Sequence, residues 1–420
     1  GWLDPNAAEA PRTQTELKDL LRRLEMQPEV RYAHPFVLSP EGAHFGIQDD
    51  FYVKLKSPNQ YAQLQQLASQ TGTTIIGPDR YLPQVYHLRA DKNAAADPLR
   101  LTLWLRSVAD FAYVDVNYLV NPIVATNDPF YIHQWSLENT GIAIQGNGTP
   151  GADMSVPEAW NITTGASNIK IAIVDSGTDT AHPDLRDNLL PGYDGNGNGS
   201  EGYPNTTYAE DAHGTNCAGI VAAKGDNNIG VAGVCYDCSI IPVKVFYYIN
   251  NPFGGTFPFS DGNAMADGIN WAVQTGDADV LSNSWGVPDI LHAALPGGTS
   301  IVEDAIQTAL SSGRDGKGCL LFFSSGNDGG APLWPGRLAG CISVNATSMC
   351  DERKTPMSCD GANWEGNFGD SLDIGAPGVQ VATTDMTGSM GYDPSDYNLS
   401  FGGTSAACPN AAGVMGLILS

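Results

Sequence analysis

Apolar positions along this 420-residue chain follow two patterns. From about residue 169 onward they gather into short continuous runs: IKIAIVD at 169–175, VLSN at 280–283 and LLFF at 320–323. Runs of four to seven apolar, β-branched or aromatic residues, bounded by turn residues, read as strands buried on both faces, the mark of a mainly parallel sheet. The Gly- and Ala-rich segments HGTNCAGIVAA and GGTSAACPNAAGV read as closely packed helices. Before residue 127 the pattern changes. DFYVKLKS alternates, PNQYAQLQQLASQTG reads as a helix, a short strand follows near Thr73–Ile76, QVYHLRA is a strand, PLRLTLWLRSVAD a helix, and FAYVDVNYLV a last strand. That order, β-α-β-β-α-β, is a split βαβ pattern and predicts a small α+β domain over residues 45–120. A linker at 121–127 would join it to an α/β domain over 128–420. Residues 1–44 contain a predicted helix, Gln14–Met26, and have no assigned role.

The chemistry sits at the ends of these elements. Ser405 lies at a Gly-rich turn opening into a helix, where a backbone N–H and the positive helix end flank its hydroxyl. Asp175 closes a buried strand, and His213 opens a helix. A serine hydroxyl is a poor nucleophile near neutral pH, so it needs an imidazole to take its proton and a carboxylate to fix the imidazole's tautomer. Asn327, after the run at 320–323, would emerge at the same sheet edge as Asp175. Taken singly, it also reads as a turn Asn before Asp328 and Gly329.

Six segments in one order, DSGTDTAHPDL, HGTNCAG, NNIGVAGV, SNSWG, SSGND and GTSAACP, resemble the subtilases, the subtilisin-like serine peptidases, over roughly residues 127–420. The resemblance implies a three-layer α/β/α domain with a mostly parallel sheet, and a serine endopeptidase acting through Asp175, His213 and Ser405. It implies that Asn327 and the N–H of Ser405 bind the oxyanion, and that Ser284, Trp285 and Gly286 pair with a peptide substrate as an added strand. Asp289 resembles by position an acidic pocket residue of the kexin and furin branch, with a solvated loop Asp as the alternative. Cys217 and the run 406–412 are kexin-like, whereas Ser176 is subtilisin-like. By position and pattern, residues 45–120 resemble a subtilase propeptide, an intramolecular inhibitor released by cleavage between Tyr118 and Asp128. The helix opening at Ser405 reaches Ser420, where subtilases continue, so the sequence is expected to be part of a longer precursor. A catalytically silent subtilase-like binding or regulatory domain is the alternative function.

Charge adds metal to the picture. Against 21 Lys plus Arg stand 46 Asp plus Glu, a net charge of −25, which disfavours nucleic acid as a partner. GDNNIGVAGV resembles a subtilase calcium loop, which implies Asp128, Asp184, Asn227, Ile229 and Val231 as oxygen ligands for structural calcium. A second candidate is Asp194, Asn196 and Asn198 in YDGNGNGSE. It lacks the Glu of an EF-hand at the twelfth position, which is Asn205, and competes with a plain Gly/Asn surface loop. No organic cofactor is expected. Eight cysteines all follow residue 216. The local pairs Cys235/Cys238, Cys350/Cys359 and Cys319/Cys341 are expected as disulfides in an oxidising compartment, with Cys217 and Cys408 as small packing residues. No run approaches the ~18 apolar residues of a membrane span. The expected location is secreted or extracytoplasmic, with protein or peptide substrates. Activity is expected to fall in acid as the base histidine protonates.

Overall fold

The computed structural model describes residues 14–28, 30–34, 37–38, 44–80, 82–120, 126–141, 148–197, 201–251, 254–289, 292 and 299–420. The chain forms two compact units, Gly1–Pro122 and Ile123–Ser420. The linker residues 121–125, where most of the expected processing segment falls, and Asn198 lie outside the described residues.

The first unit begins with helix α1 (Gln14–Glu25) and strand β1 (Val37–Leu38), followed by β2 (His44–Lys54). Helix α2 (Tyr61–Thr71), strands β3 (Thr74–Pro78) and β4 (Val85–Arg89), helix α3 (Pro98–Val108) and β5 (Tyr113–Val120) complete it. All pairings are antiparallel, with β4 between β3 and β2, and β5 and β1 both on β2. This is the expected split βαβ arrangement with one short strand added. Alternation explains the core: Phe51, Val53, Leu88 and Val114 turn one sheet face onto Leu64, Leu101 and Leu105 of the helices. Helix α3 starts where its sequence says it should. The Asp97 side chain accepts the Arg100 N–H (2.9 Å) and Pro98 fills the first helical position. The segment before residue 45 is tied to this unit: the Lys92 N–H donates to the Arg31 carbonyl (2.9 Å), and Arg31 pairs with Asp49.

The second unit is a three-layer α/β/α domain, whose first helix is the short α4 (Val156–Trp160). Its parallel strands are β6 (Lys170–Asp175), β7 (Tyr193–Asp194), β8 (Ser239–Lys244), β11 (Val280–Asn283), β12 (Leu320–Ser324), β13 (Cys341–Ser348) and β15 (Ile374–Pro377). They lie in the order β13-β12-β11-β6-β8-β7 with β15 also on β13, and β14 (Glu352–Arg353) adds the antiparallel edge. A hairpin, β9 (Tyr247–Asn250) and β10 (Thr256–Phe259), and the pair β16 (Val381–Thr384) and β17 (Tyr397–Phe401) stand apart from the sheet. The apolar runs supply both faces because successive strand residues alternate. Ile171, Ile173, Val280 and Phe322 pack with helices α5 (His213–Ala222) and α8 (Thr404–Leu419), whereas Ala172, Val174, Leu281 and Phe323 pack with α6 (Gly262–Gln274) and α7 (Ser300–Gly316). Each large apolar side chain so buried contributes about 1.5–3 kcal/mol. Among the described residues no helix is long and apolar enough to cross a membrane.

Two of the three expected disulfides form, Cys235–Cys238 and Cys350–Cys359. The third does not: Cys319 and Cys341 are free and buried, as are Cys217 and Cys408. Register is the reason. Cys341 lies level with Leu321, not Cys319, so the two cysteines are two residues out of step on neighbouring strands. About 6.6 Å along the strand and about 4.8 Å across it put their Cα atoms about 8 Å apart, beyond the ~7 Å limit for a bridge.

Candidate active site

Strand β6 delivers Asp175 at its carboxyl end, fully buried. Its Oδ1 accepts the Ser176 N–H at 2.7 Å and His213 Nδ1 at 2.8 Å. A carboxylate only accepts, so Nδ1 carries the proton and Nε2 is left as a base. His213 opens α5, and its ring stands edge-on to Phe401 with centroids 5.5 Å apart. Gly214 is required here by contact: a Cβ would stand 2.2 Å from the Gly177 carbonyl and 3.0 Å from Asp175 Cβ. Ser176 ties the two segments together, donating from Oγ to the Asp211 carbonyl (2.9 Å) while accepting the Gly214 N–H (3.0 Å).

Ser405 occupies the first turn of α8, where N–H groups have no intrahelical acceptor. Gly403, before it, has φ +105°, a conformation side chains avoid, and a Cβ there would approach Asn327 Nδ2 to 3.4 Å. Asn327 is held by its amide oxygen, which accepts the Thr404 N–H (2.9 Å) and the Thr404 hydroxyl (3.0 Å). Its NH₂ group has no protein acceptor among the described residues and stays available to a ligand. The Ser405 hydroxyl donates to the Ser284 carbonyl at 3.3 Å. Asp175, His213, Ser405 and Asn327 thus lie toward the carboxyl edge of the parallel sheet. Thr404 aims Asn327, a role that its place in the GTSAACP segment does not by itself announce.

Ser284, Trp285 and Gly286 continue past the end of β11, and the ladder to β12 stops at Asn283. The Trp285 indole is committed inward, donating to the Val174 carbonyl at 3.0 Å. Asp289 is an exposed carboxylate paired with Arg337, and that guanidinium already neutralises the charge an acidic pocket would use.

Asp128, Asp184 and Asn227 converge. Asp128 Oδ1 accepts the Asn227 N–H (3.1 Å), and Asp184 Oδ1 accepts Asn227 Nδ2 (2.8 Å). Val231 donates its N–H to Asp184 Oδ2 (3.0 Å), and Ile229 its N–H to Asn227 Oδ1 (2.7 Å). Burial, reinforced by the neighbouring Asp128 charge, pushes the Asp184 carboxyl up to about 7. Two carboxylates and an amide group brought together from three separate segments form a hard donor set. Both carboxylates are buried, and Asp184 is uncomfortable as an anion, so the residues present fit a calcium ion. Asp194 has a different answer to its charge. Its Oδ1 accepts the Asn196 N–H (2.9 Å), and the buried ammonium of Lys244 lies 3.8 Å from Oδ2 while donating to Asn205 Oδ1 (2.7 Å). The Asp194 charge is therefore balanced by an ammonium, while Asn196 meets it only through its backbone N–H.

The model of the Subtilase family matches residues 166–420. Neuroendocrine convertase 2 of Homo sapiens is 31% identical over 327 residues, 75% of this chain and 46% of its own length. A calcium-dependent protease of Trichormus variabilis is 29% identical over 437 residues, 96% of this chain and 61% of its own. The chain spans about half the length of the convertases it matches. Among solved structures, a protease of Pseudoalteromonas arctica superposes with a TM-score of 0.52 at 27% identity, covering 70% of this chain and 86% of that one. An Aeromonas sobria serine protease, solved with its chaperone, has a TM-score of 0.57 at 22% identity, over 70% of this chain and 54% of that one, and bears on the fold alone.

Proposed function

This chain belongs to the subtilase family, and from that premise we propose that it is the precursor of a secreted, calcium-stabilised serine endopeptidase. The observation that carries the reading is the buried Asp175–His213 hydrogen bond of 2.8 Å, with Ser405 and Asn327 at the same sheet edge.

In this mechanism the peptide substrate adds a strand along Ser284–Gly286, bringing its scissile carbonyl to Ser405. The Ser405 hydroxyl swings from the Ser284 carbonyl to His213. Its Oγ attacks the carbonyl carbon as the proton passes to Nε2 of His213. Asp175 holds the ring's tautomer and stabilises the imidazolium without taking the proton itself. The oxyanion accepts from the Ser405 N–H and the free amide of Asn327, donors fixed before the charge develops. Collapse breaks the C–N bond, and the Nε2 proton leaves with the amine. Water then attacks the acyl ester, giving a proton to Nε2 that returns to Ser405 as the acid departs.

Asp128, Asp184, Asn227 and the carbonyls of Ile229 and Val231 would hold calcium, whose contribution is to neutralise and brace the loop. The similarity to a calcium-dependent protease supports this. Its signature is a pH dependence. Without calcium, a raised Asp184 pKa means that the group's stabilising contribution is complete below the unfolded carboxyl value of about 4. That contribution is lost as pH rises through about 7. Calcium requires the ionised form, so chelation should lower the Tm by more at pH 8 than at pH 5. Equal drops at both values would remove Asp184 from the ligand set.

The first unit, through its C-terminal strand and linker, would act as the intramolecular inhibitor, with cleavage between Tyr118 and Asp128. Fluorophosphonate labelling that depends on Ser405 tests the reading as a whole.

A further inference from the structure

The nucleophile's own carbonyl is in an unusual position. Four residues after Ser405 the helix has Pro409, which carries no N–H, so the Ser405 carbonyl loses its intrahelical donor. Such a carbonyl, partly buried, is costly to leave unpaired, and two side chains from elsewhere meet it. The Ser284 hydroxyl donates to it at 2.9 Å, and the Cys217 thiol donates at 3.6 Å. Cys217 is completely buried on α5, one turn after His213, and its sulfur also lies 3.9 Å from His213 Nδ1. The second oxygen of Asp175 is buried with no nitrogen or oxygen partner, and the thiol, imidazole and carboxylate donor atoms lie within 4.8 Å of one another. One sulfur atom therefore touches the backbone of the nucleophile and the ring of the base, which sit on different helices.

We propose that Cys217 is a positioning residue of the peptidase. Its S–H anchors the Ser405 carbonyl that Pro409 leaves open, while the sulfur backs the His213 ring, so that this one side chain sets the spacing between base and nucleophile. Burial, reinforced by the Asp175 charge, pushes the thiol well above its ordinary range. It thus stays an S–H donor across the working pH of the enzyme. Substrate does not touch Cys217, so its removal acts on the chemical step rather than on binding. The inference rests on Ser405 being the nucleophile.

The test compares Cys217→Ser, Cys217→Ala and Cys217→Val in the full-length protein with calcium, with active sites counted by fluorophosphonate titration. If the thiol acts as a donor, Ser retains kcat within about threefold, while Ala and Val lose about tenfold in kcat with KM unchanged. If it only fills space, the order reverses: Val, which keeps volume without polarity, stays near wild type, and Ser is the damaged variant. That order would overturn the proposal. A second comparison keeps it testable if a variant folds poorly. Pro409→Ala restores an N–H to the Ser405 carbonyl, and in that background the Cys217→Ala loss should shrink to threefold or less. An undiminished loss would show that the thiol does not act through this carbonyl. Wild-type activity that survives Ser405→Ala would instead defeat the underlying functional reading, a result distinct from either of these.

Discussion

Replacing His213 by alanine is expected to lower kcat by about 10⁶-fold, close to the effect of removing the serine itself. The argument follows the proton. The Ser405 hydroxyl donates to the Ser284 carbonyl, an acceptor that cannot take a proton away, so without the imidazole the oxygen attacks only as a neutral alcohol. Substrate pairing along Ser284–Gly286 is untouched, and KM should change little. The measurement is steady-state hydrolysis of a peptide substrate, with circular dichroism to verify folding. A loss below about 10³-fold would mean that another group serves as base.

Asp175→Asn is expected to cost about 10⁴-fold in kcat. The amide is nearly the size of the carboxylate and fits the same buried space, so the cause is the tautomer rather than packing. Asp175 Oδ1 accepts the Nδ1 proton at 2.8 Å. An Asn side chain offering NH₂ at that place makes Nδ1 the acceptor and puts the ring's proton on Nε2, facing the serine. The base is then blocked while its position is kept. A variant that retained more than about a tenth of wild-type kcat would show that Asp175 does not fix the tautomer.

Much of this site was legible in the sequence because its signals are local. Strands buried on both faces appear as continuous apolar runs, so the termini at Asp175 and before Asn327 could be read directly. Ser405 and His213 stand beside glycines that open helices. The two disulfides that form join cysteines only three and nine positions apart. What the sequence concealed depends on register and on partners far along the chain. Cys319 and Cys341 flank one turn, but the parallel register sets Cys341 against Leu321. Asp194 resembled the start of a cation loop until β8 brought the Lys244 ammonium beside it. Asp289 resembled a pocket acid, and Arg337, 48 residues later, takes its charge. Thr404 and Cys217 act through bonds to Asn327 and Ser405 that no spacing announces.

The most direct test of the central claim is to expose the full-length, calcium-supplemented protein and its Ser405→Ala variant to a fluorophosphonate probe and then sequence the N-termini of both. The account predicts labelling of the wild type alone, on Ser405, with a new N-terminus between Tyr118 and Asp128 that the variant lacks. Folded wild-type protein that takes up no probe, or a variant that labels equally well, would contradict it and favour a catalytically silent binding domain in the first case and a different nucleophile in the second.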